Sequence, residues 1–140
     1  MIREHRLLDA LFREVIYSQV PSYLDGQRKV LDLLTVTESG RLAVLELKTE
    51  RNLDLIFQGL DYWERVRQHL SREEFQKAGY FRGMSLSAES PLLYLVCPLF
   101  EFHKTMLIIR RYLKQETKVQ CVWVNADWKT GLSVLRRFSL

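Results

Sequence analysis

Apolar residues change their spacing along the first third of the chain. From Ile2 to about Gln19, Leu7, Leu8, Leu11, Phe12, Val15 and Ile16 recur every three or four positions, which predicts an amphipathic helix halted near Pro21. A turn-like Leu24-Asp25-Gly26-Gln27 follows. Val30 to Lys48 then reads V-L-D-L-L-T-V-T-E-S-G-R-L-A-V-L-E-L-K, two apolar runs around Glu38-Ser39-Gly40, and predicts a β-hairpin. Leu31, Leu33 and Leu45 fall on one side of it and Leu34, Val36, Leu42 and Val44 on the other. Strands apolar on both faces belong to a sheet covered by helices.

Helical spacing returns from Leu53 to about Leu70, with Asn52 or Asp54 near the N-cap, and Ser71 with Glu74 reads as a capping box for a short helix to Lys77. Ala78 to Ser90, with Gly79, Gly83 and several serines, reads as an irregular connection, either a lid or a passive crossing. Pro91–Cys97 is a continuous apolar run and predicts an inner strand. Glu101 to about Gln115 predicts a helix with Phe102, Met106, Ile109 and Leu113 as its buried stripe. Val119–Val124 and Leu132–Phe138 predict a closing strand pair. With no repeat, low-complexity tract or linker, residues 1–140 form a single α/β domain: a central mixed β-sheet flanked by helices on both faces, in the order α-β-β-α-β-α-β-β.

Three charges are set into the otherwise apolar strands of the hairpin: Asp32, Glu46 and Lys48. Side chains alternate along a strand, so Glu46 and Lys48 share a face with Val44 and Leu42. A three-residue loop with Gly40 in the left-handed region would pair Thr37 with Arg41 and bring Asp32 opposite Glu46; a two-residue turn would put the acids on opposite faces. Two carboxylates about 5 Å apart at an effective dielectric near 20 repel by roughly 3 kcal/mol. A divalent cation between them reverses the sign.

Asp32, followed by Glu46-Leu47-Lys48 at the end of the next strand, resembles the D…(D/E)-x-K signature of the PD-(D/E)xK nuclease superfamily. Gln58 and Tyr62 in the next helix are similar to the Q-x-x-x-Y element of its RecB-type branch. Val30-Leu31 stands where the name-giving proline would be. The resemblance covers the first half of the chain by motif and the second half by element order. It implies a restriction-endonuclease-like fold, a Mg²⁺ or Mn²⁺ cofactor held by Asp32, Glu46 and the Leu47 backbone carbonyl, catalytic roles for Asp32, Glu46, Lys48, Gln58 and Tyr62, and DNA as partner. Members of the superfamily often place a first-helix glutamate beside the metal, which makes Glu4 the candidate for that position; a glutamate stabilised by the helix dipole is the alternative. Arg28, Lys29 and Arg65 are candidate nucleic-acid contacts, against the plainer alternative of solvated cations.

Composition adjusts this picture little. The formal charge of +4 and a pI near 9.2 permit a polyanionic partner without demanding one. Cys97 and Cys121 lie apart in apolar runs and read as buried thiols in a reducing compartment. No signal segment and no apolar run of membrane-spanning length is visible, so the expected location is the cytoplasm and no membrane partner is expected. There is no phosphate-binding P-loop, no dinucleotide fingerprint, no zinc-like spacing among His5, His69 and His103, and no nucleophile elbow.

The reading that follows is a metal-dependent nuclease hydrolysing DNA phosphodiester bonds, with Lys48 orienting the attacking water or stabilising phosphorane charge. Two alternatives are a non-catalytic nucleic-acid-binding or assembly module on a nuclease-like fold, and a structural protein with a buried Asp-Glu-Lys triad. So short a chain would embrace a duplex as a homodimer or with a partner protein.

Overall fold

The computed structural model describes residues 2–47, 54–98, 108, 110–125 and 127–140. A short 3₁₀ helix, Ile2–Leu7, leads into strands β1 (Phe12–Leu24), β2 (Gln27–Thr37) and β3 (Leu42–Leu47), helices α1 (Asp54–Ser71) and α2 (Glu74–Lys77), and strands β4 (Leu92–Pro98), β5 (Lys118–Val124) and β6 (Val134–Ser139). The six strands form one open mixed sheet in sequence order. The first three are antiparallel neighbours, β3, β4 and β5 run parallel, and β6 returns antiparallel.

The helix predicted over residues 2–19 is replaced by a 3₁₀ helix, a turn and, from Phe12, strand. Val15, Ile16, Tyr17, Val20 and Tyr23 are β-branched or aromatic and pack well on a pleated surface. Asp25 (φ 50°) and Gly26 (φ 76°) supply the two left-handed residues of a tight hairpin turn joining Leu24 to Gln27. Pro21 lacks an N–H to offer a ladder, and β1 tolerates it as the outermost strand. A register shift between Phe12 and Ile16 distributes the apolar residues over both faces in a way that imitates helical spacing. Leu7 and Leu11, placed on a buried stripe by the helical reading, are 54% and 59% exposed.

The sheet separates two apolar clusters. On one face Leu34, Val36, Leu42, Val44, Leu93 and Leu95 pack with Ile56, Tyr62, Trp63 and Val66 of α1 and Phe75 of α2. On the other, Leu33, Ala43, Leu45, Tyr94, Val96, Val122 and Val124 meet Leu8, Phe12 and Leu132. The sheet is therefore mixed as expected, but among the described residues its second face is covered by the 3₁₀ helix and the β5–β6 connection, not by an α-helix. The helix expected over 101–115 lies largely outside the described residues, and no described helix is long and apolar enough to cross a membrane.

The α2 helix starts from Glu73 in the left-handed region (φ 56°) without a side-chain cap. The expected capping box is absent because Ser71 Oγ donates back to the Gln68 carbonyl and Glu74 turns to His69. The connection after α2 crosses the start of β3: Ser87 N–H donates to Gly40 O, and Arg41 Nε to Ser90 O. The alternative of a lid over the acidic pair is not what this packing gives, since Glu46 lies roughly 20 Å further along β3 from Gly40.

Candidate functional site

The β2–β3 turn has the odd-numbered form that brings the acids together. Thr37 N–H donates to Arg41 O, Gly40 has φ 86°, and the ladder runs Val36↔Leu42, Thr35↔Ala43, Leu34↔Val44 and Leu33↔Leu45. The ladder ends at that pair, and its register continued by one step sets Asp32 opposite Glu46. The Asp32 side chain is tied to that place, because its Oδ2 accepts the Leu47 N–H at 3.0 Å.

Asp32 also marks a break in the strand. Leu31 and Leu33, two residues apart, belong to opposite core clusters, and Leu31 has joined the α1 side with Leu34 and Val36. Across the ladder Gln19 takes a left-handed conformation (φ 53°) between the pairs Ser18↔Leu33 and Val20↔Leu31. Alternation is therefore lost between Asp32 and Leu31 and, across the ladder, at Gln19; counted from Leu33 and Leu34, Asp32 keeps the α1-side parity that it shares with Glu46. Asp32 is half-buried and Glu46 is 1% exposed. Glu46 points to the face covered by α1, the same side as Leu42 and Val44.

The α1 helix passes close over this row. Leu95 is the register partner of Glu46, and a Cβ on Gly59 would lie 2.7 Å from Leu95 Cδ2. Gln58, beside that glycine, donates from Nε2 to the Tyr62 hydroxyl at 2.9 Å; Gln58 is half-buried and Tyr62 belongs to the core. Lys48 lies outside the described residues.

Three other candidates are placed differently. Glu4 is not on a first α-helix beside the acids: the 3₁₀ helix packs against the second face, and Glu4 Oε1 is 3.5 Å from Leu132 N. Arg65 is not in a groove but 4% exposed. It donates to Asp61 Oδ2, Ser22 O, Ser22 Oγ and Gln27 O, so its charge and donors hold α1 to the β1–β2 hairpin. Lys29 is matched by Asp61 at 2.8 Å. Arg28 keeps an exposed position, over the Tyr23 ring and donating to its hydroxyl, at the end of the sheet toward which Glu46 points along the strand direction.

A buried chain escaped the sequence reading. Ser22 Oγ lies 2.8 Å from His69 Nε2, and His69 Nδ1 lies 3.1 Å from Glu74 Oε2, with Arg65 donating to the same serine. The order serine, imidazole, carboxylate is that of a nucleophile relay, but Ser22 is 1% exposed and engaged by Arg65, so the chain serves to join β1, α1 and α2. Helical spacing of Asp61, Arg65 and His69 was the available signal for a polar seam; its Ser22 end is 43 residues from Arg65 and has no local signature.

Asp32 and Glu46 offer hard carboxylate oxygens, the chemistry that suits Mg²⁺ or Mn²⁺. No group of three or more His, Cys, Asp or Glu side chains disposed to hold a metal occurs among the described residues.

The sequence matches no protein-family model and no curated protein. The fold does have solved counterparts. An XisH family protein from Nostoc punctiforme superposes with a TM-score of 0.55 at 15% identity, covering 98% of this chain and 95% of that one. An fdxN element excision controlling factor protein from Anabaena variabilis gives 0.53 at 12% identity, covering 97% and 94%. The chain thus shares the fold of these two proteins.

Proposed function

We propose that this protein is a metal-dependent nuclease acting on DNA, with its centre at Asp32, Glu46 and Lys48. The observation that carries the reading is the Asp32 carboxylate, fixed at 3.0 Å by the N–H of Leu47, the residue that follows Glu46 on the neighbouring strand. A cation would hold two such acids together, since burying carboxylates costs several kcal/mol unless donors or a cation meet them. The name of the Anabaena counterpart, an excision controlling factor, favours a DNA substrate.

Asp32, Glu46 and the Leu47 carbonyl would hold Mg²⁺ or Mn²⁺, which when bound polarises a phosphate oxygen and acidifies a coordinated water. The Leu47 N–H keeps one Asp32 oxygen oriented and leaves the other for ligation. Lys48, two residues beyond Glu46 in the sequence, would supply an ammonium where negative charge develops on the phosphorane. Gln58 spends one amide proton on Tyr62 and keeps its second proton and its carbonyl oxygen for orienting the strand or the water.

The test is cleavage of supercoiled plasmid and of a labelled single-stranded oligonucleotide with Mg²⁺ or Mn²⁺. Cutting that is lost in Asp32→Asn and Lys48→Ala, with the thermal transition retained, is the expected result. Cutting that survives Asp32→Asn, or none on any substrate with either metal, overturns the reading. Metal-independent DNA binding without cleavage would instead favour a non-catalytic module, a role that the word "controlling" in the counterpart's name also suits.

A further inference from the structure

We infer that Arg136, laid against Trp123 on the Glu46 face of the sheet, is a backbone-phosphate contact for a polynucleotide strand that runs from the acidic pair toward β6. The inference rests on the nuclease reading for the direction of the strand, though not for its test.

The placement follows from register. Glu46 pairs with Leu95, Leu95 with Cys121, and Cys121 with Phe138, which makes one row across four strands. Two residues further along the parallel strands the next row is Cys97, Trp123 and Arg136. Cys97, Cys121 and Phe138 all pack with the cluster beneath α1, so this row belongs to the same face as Glu46. Arg136 stands about 16 Å from Glu46, three strand spacings across and one pleat along, a span of a few nucleotides.

The side chains suit that use. Arg136 is exposed, and its Cζ lies 5.3 Å from the centroid of the Trp123 ring, which meets Phe138 edge-on. Stacking on an indole restricts the guanidinium without consuming its five N–H donors, so the fork is ordered before a phosphate arrives. No carboxylate forms a salt bridge with Arg136 among the described residues, in contrast to Lys29, Arg65 and Arg67. Among the described residues α1 makes its main sheet contacts with β3 and β4, and Arg136 stands two strands beyond them on β6 at the sheet edge.

The structure also supplies its own control. Arg137 is the next residue and is equally exposed, but it pairs with Val122 and projects to the other face, on the side of Tyr94.

The experiment measures binding of a fluorescein-labelled single-stranded oligonucleotide in Ca²⁺ or EDTA, where cleavage plays no part, across a series of salt concentrations. Arg136→Gln is expected to weaken binding roughly five- to tenfold and to lower the slope of log K against log salt by about 0.7, the value for one phosphate on a single strand. Arg137→Gln should match the wild type, and Trp123→Phe should fall between. Equal affinity and slope for Arg136→Gln, or equal losses for Arg136→Gln and Arg137→Gln, overturns the inference. Absence of cleavage in the plasmid assay alongside these binding differences would sink the nuclease reading and leave the contact standing. Cleavage with unchanged binding in Arg136→Gln would do the reverse.

Discussion

Gly40 lies against Ser85 so closely that a Cβ on the glycine would collide with the Ser85 carbonyl oxygen, while the Gly40 carbonyl accepts the Ser87 N–H. Its φ of 86° is a conformation that L side chains rarely adopt. The turn that sets the β2–β3 register is therefore held both by its own conformation and by the irregular segment crossing it. Gly40→Ala should cost about 2–4 kcal/mol, the sum of left-handed strain and displacement of backbone that cannot swing away. Urea denaturation checks this: the midpoint should fall with little change in slope. An unchanged midpoint would mean that the loop can reform around the methyl group.

Asp32 has two jobs that separate experimentally. Removing its carboxylate leaves the Leu47 N–H without its acceptor, which should cost about 1–2 kcal/mol in metal-free buffer. Under the proposed function it also removes a ligand. Mn²⁺ at ten times its dissociation constant should stabilise the wild type by about 1.4 kcal/mol and Asp32→Ala by nothing measurable. Thermal melts with and without the metal distinguish the two effects. Equal stabilisation of both proteins would place any bound cation elsewhere.

The β2–β3 hairpin was legible because a period-2 pattern, a glycine-containing loop and the parity of Asp32 against Glu46 all pointed the same way. The alternation failed only at Leu31, where the break beside Gln19 sends that residue to the opposite cluster. β1 was misread for a related reason. Its register shift and the Gln19 irregularity scatter apolar residues into a helix-like spacing, while the Asp25-Gly26 dipeptide, the local sign of a hairpin, received too little weight. Lys48, the third member of the proposed centre, lies outside the described residues, so its place rests on strand parity. Arg65 was misassigned because three of its four acceptors come from the β1–β2 hairpin, some forty residues away, which no local pattern reports.

That burial gives Arg65 a test of its own. Arg65→Ala would remove a guanidinium that serves Asp61, Ser22 and Gln27 together and should cost about 3 kcal/mol. Lysine carries the charge but cannot reach all of these acceptors, so Arg65→Lys should recover only part of the loss. Arg28→Ala, by contrast, should stay within about 0.5 kcal/mol, since that side chain is exposed. Chemical denaturation of the three variants decides the matter. A stable Arg65→Ala with weakened DNA binding would restore the groove role.

The two cysteines make stability depend on alkaline pH. Burial pushes the Cys97 thiol up to about 11 and, with Cys97 adding to it, the Cys121 thiol up to about 12. In the unfolded chain both ionise near the ordinary value of about 8.5 to 9. Above that value the unfolded state sheds protons that the folded state retains, so the stabilisation is fully present below about pH 8.5 and declines as the pH climbs toward 11 and 12. At about pH 10.5 the loss should be on the order of 4 kcal/mol relative to about pH 8. Tyr94, whose phenol is raised by burial and by its hydrogen bond to Asp9, acts in the same direction, so the thiol share must be isolated by substitution. Cys97→Ala with Cys121→Ala should flatten the decline between those two pH values, whatever the substitutions cost in packing. In the wild type, iodoacetamide at about pH 8 should modify neither thiol until urea unfolds the chain; rapid labelling of the native protein would show that the thiols are less shielded than their positions in β4 and β5 imply.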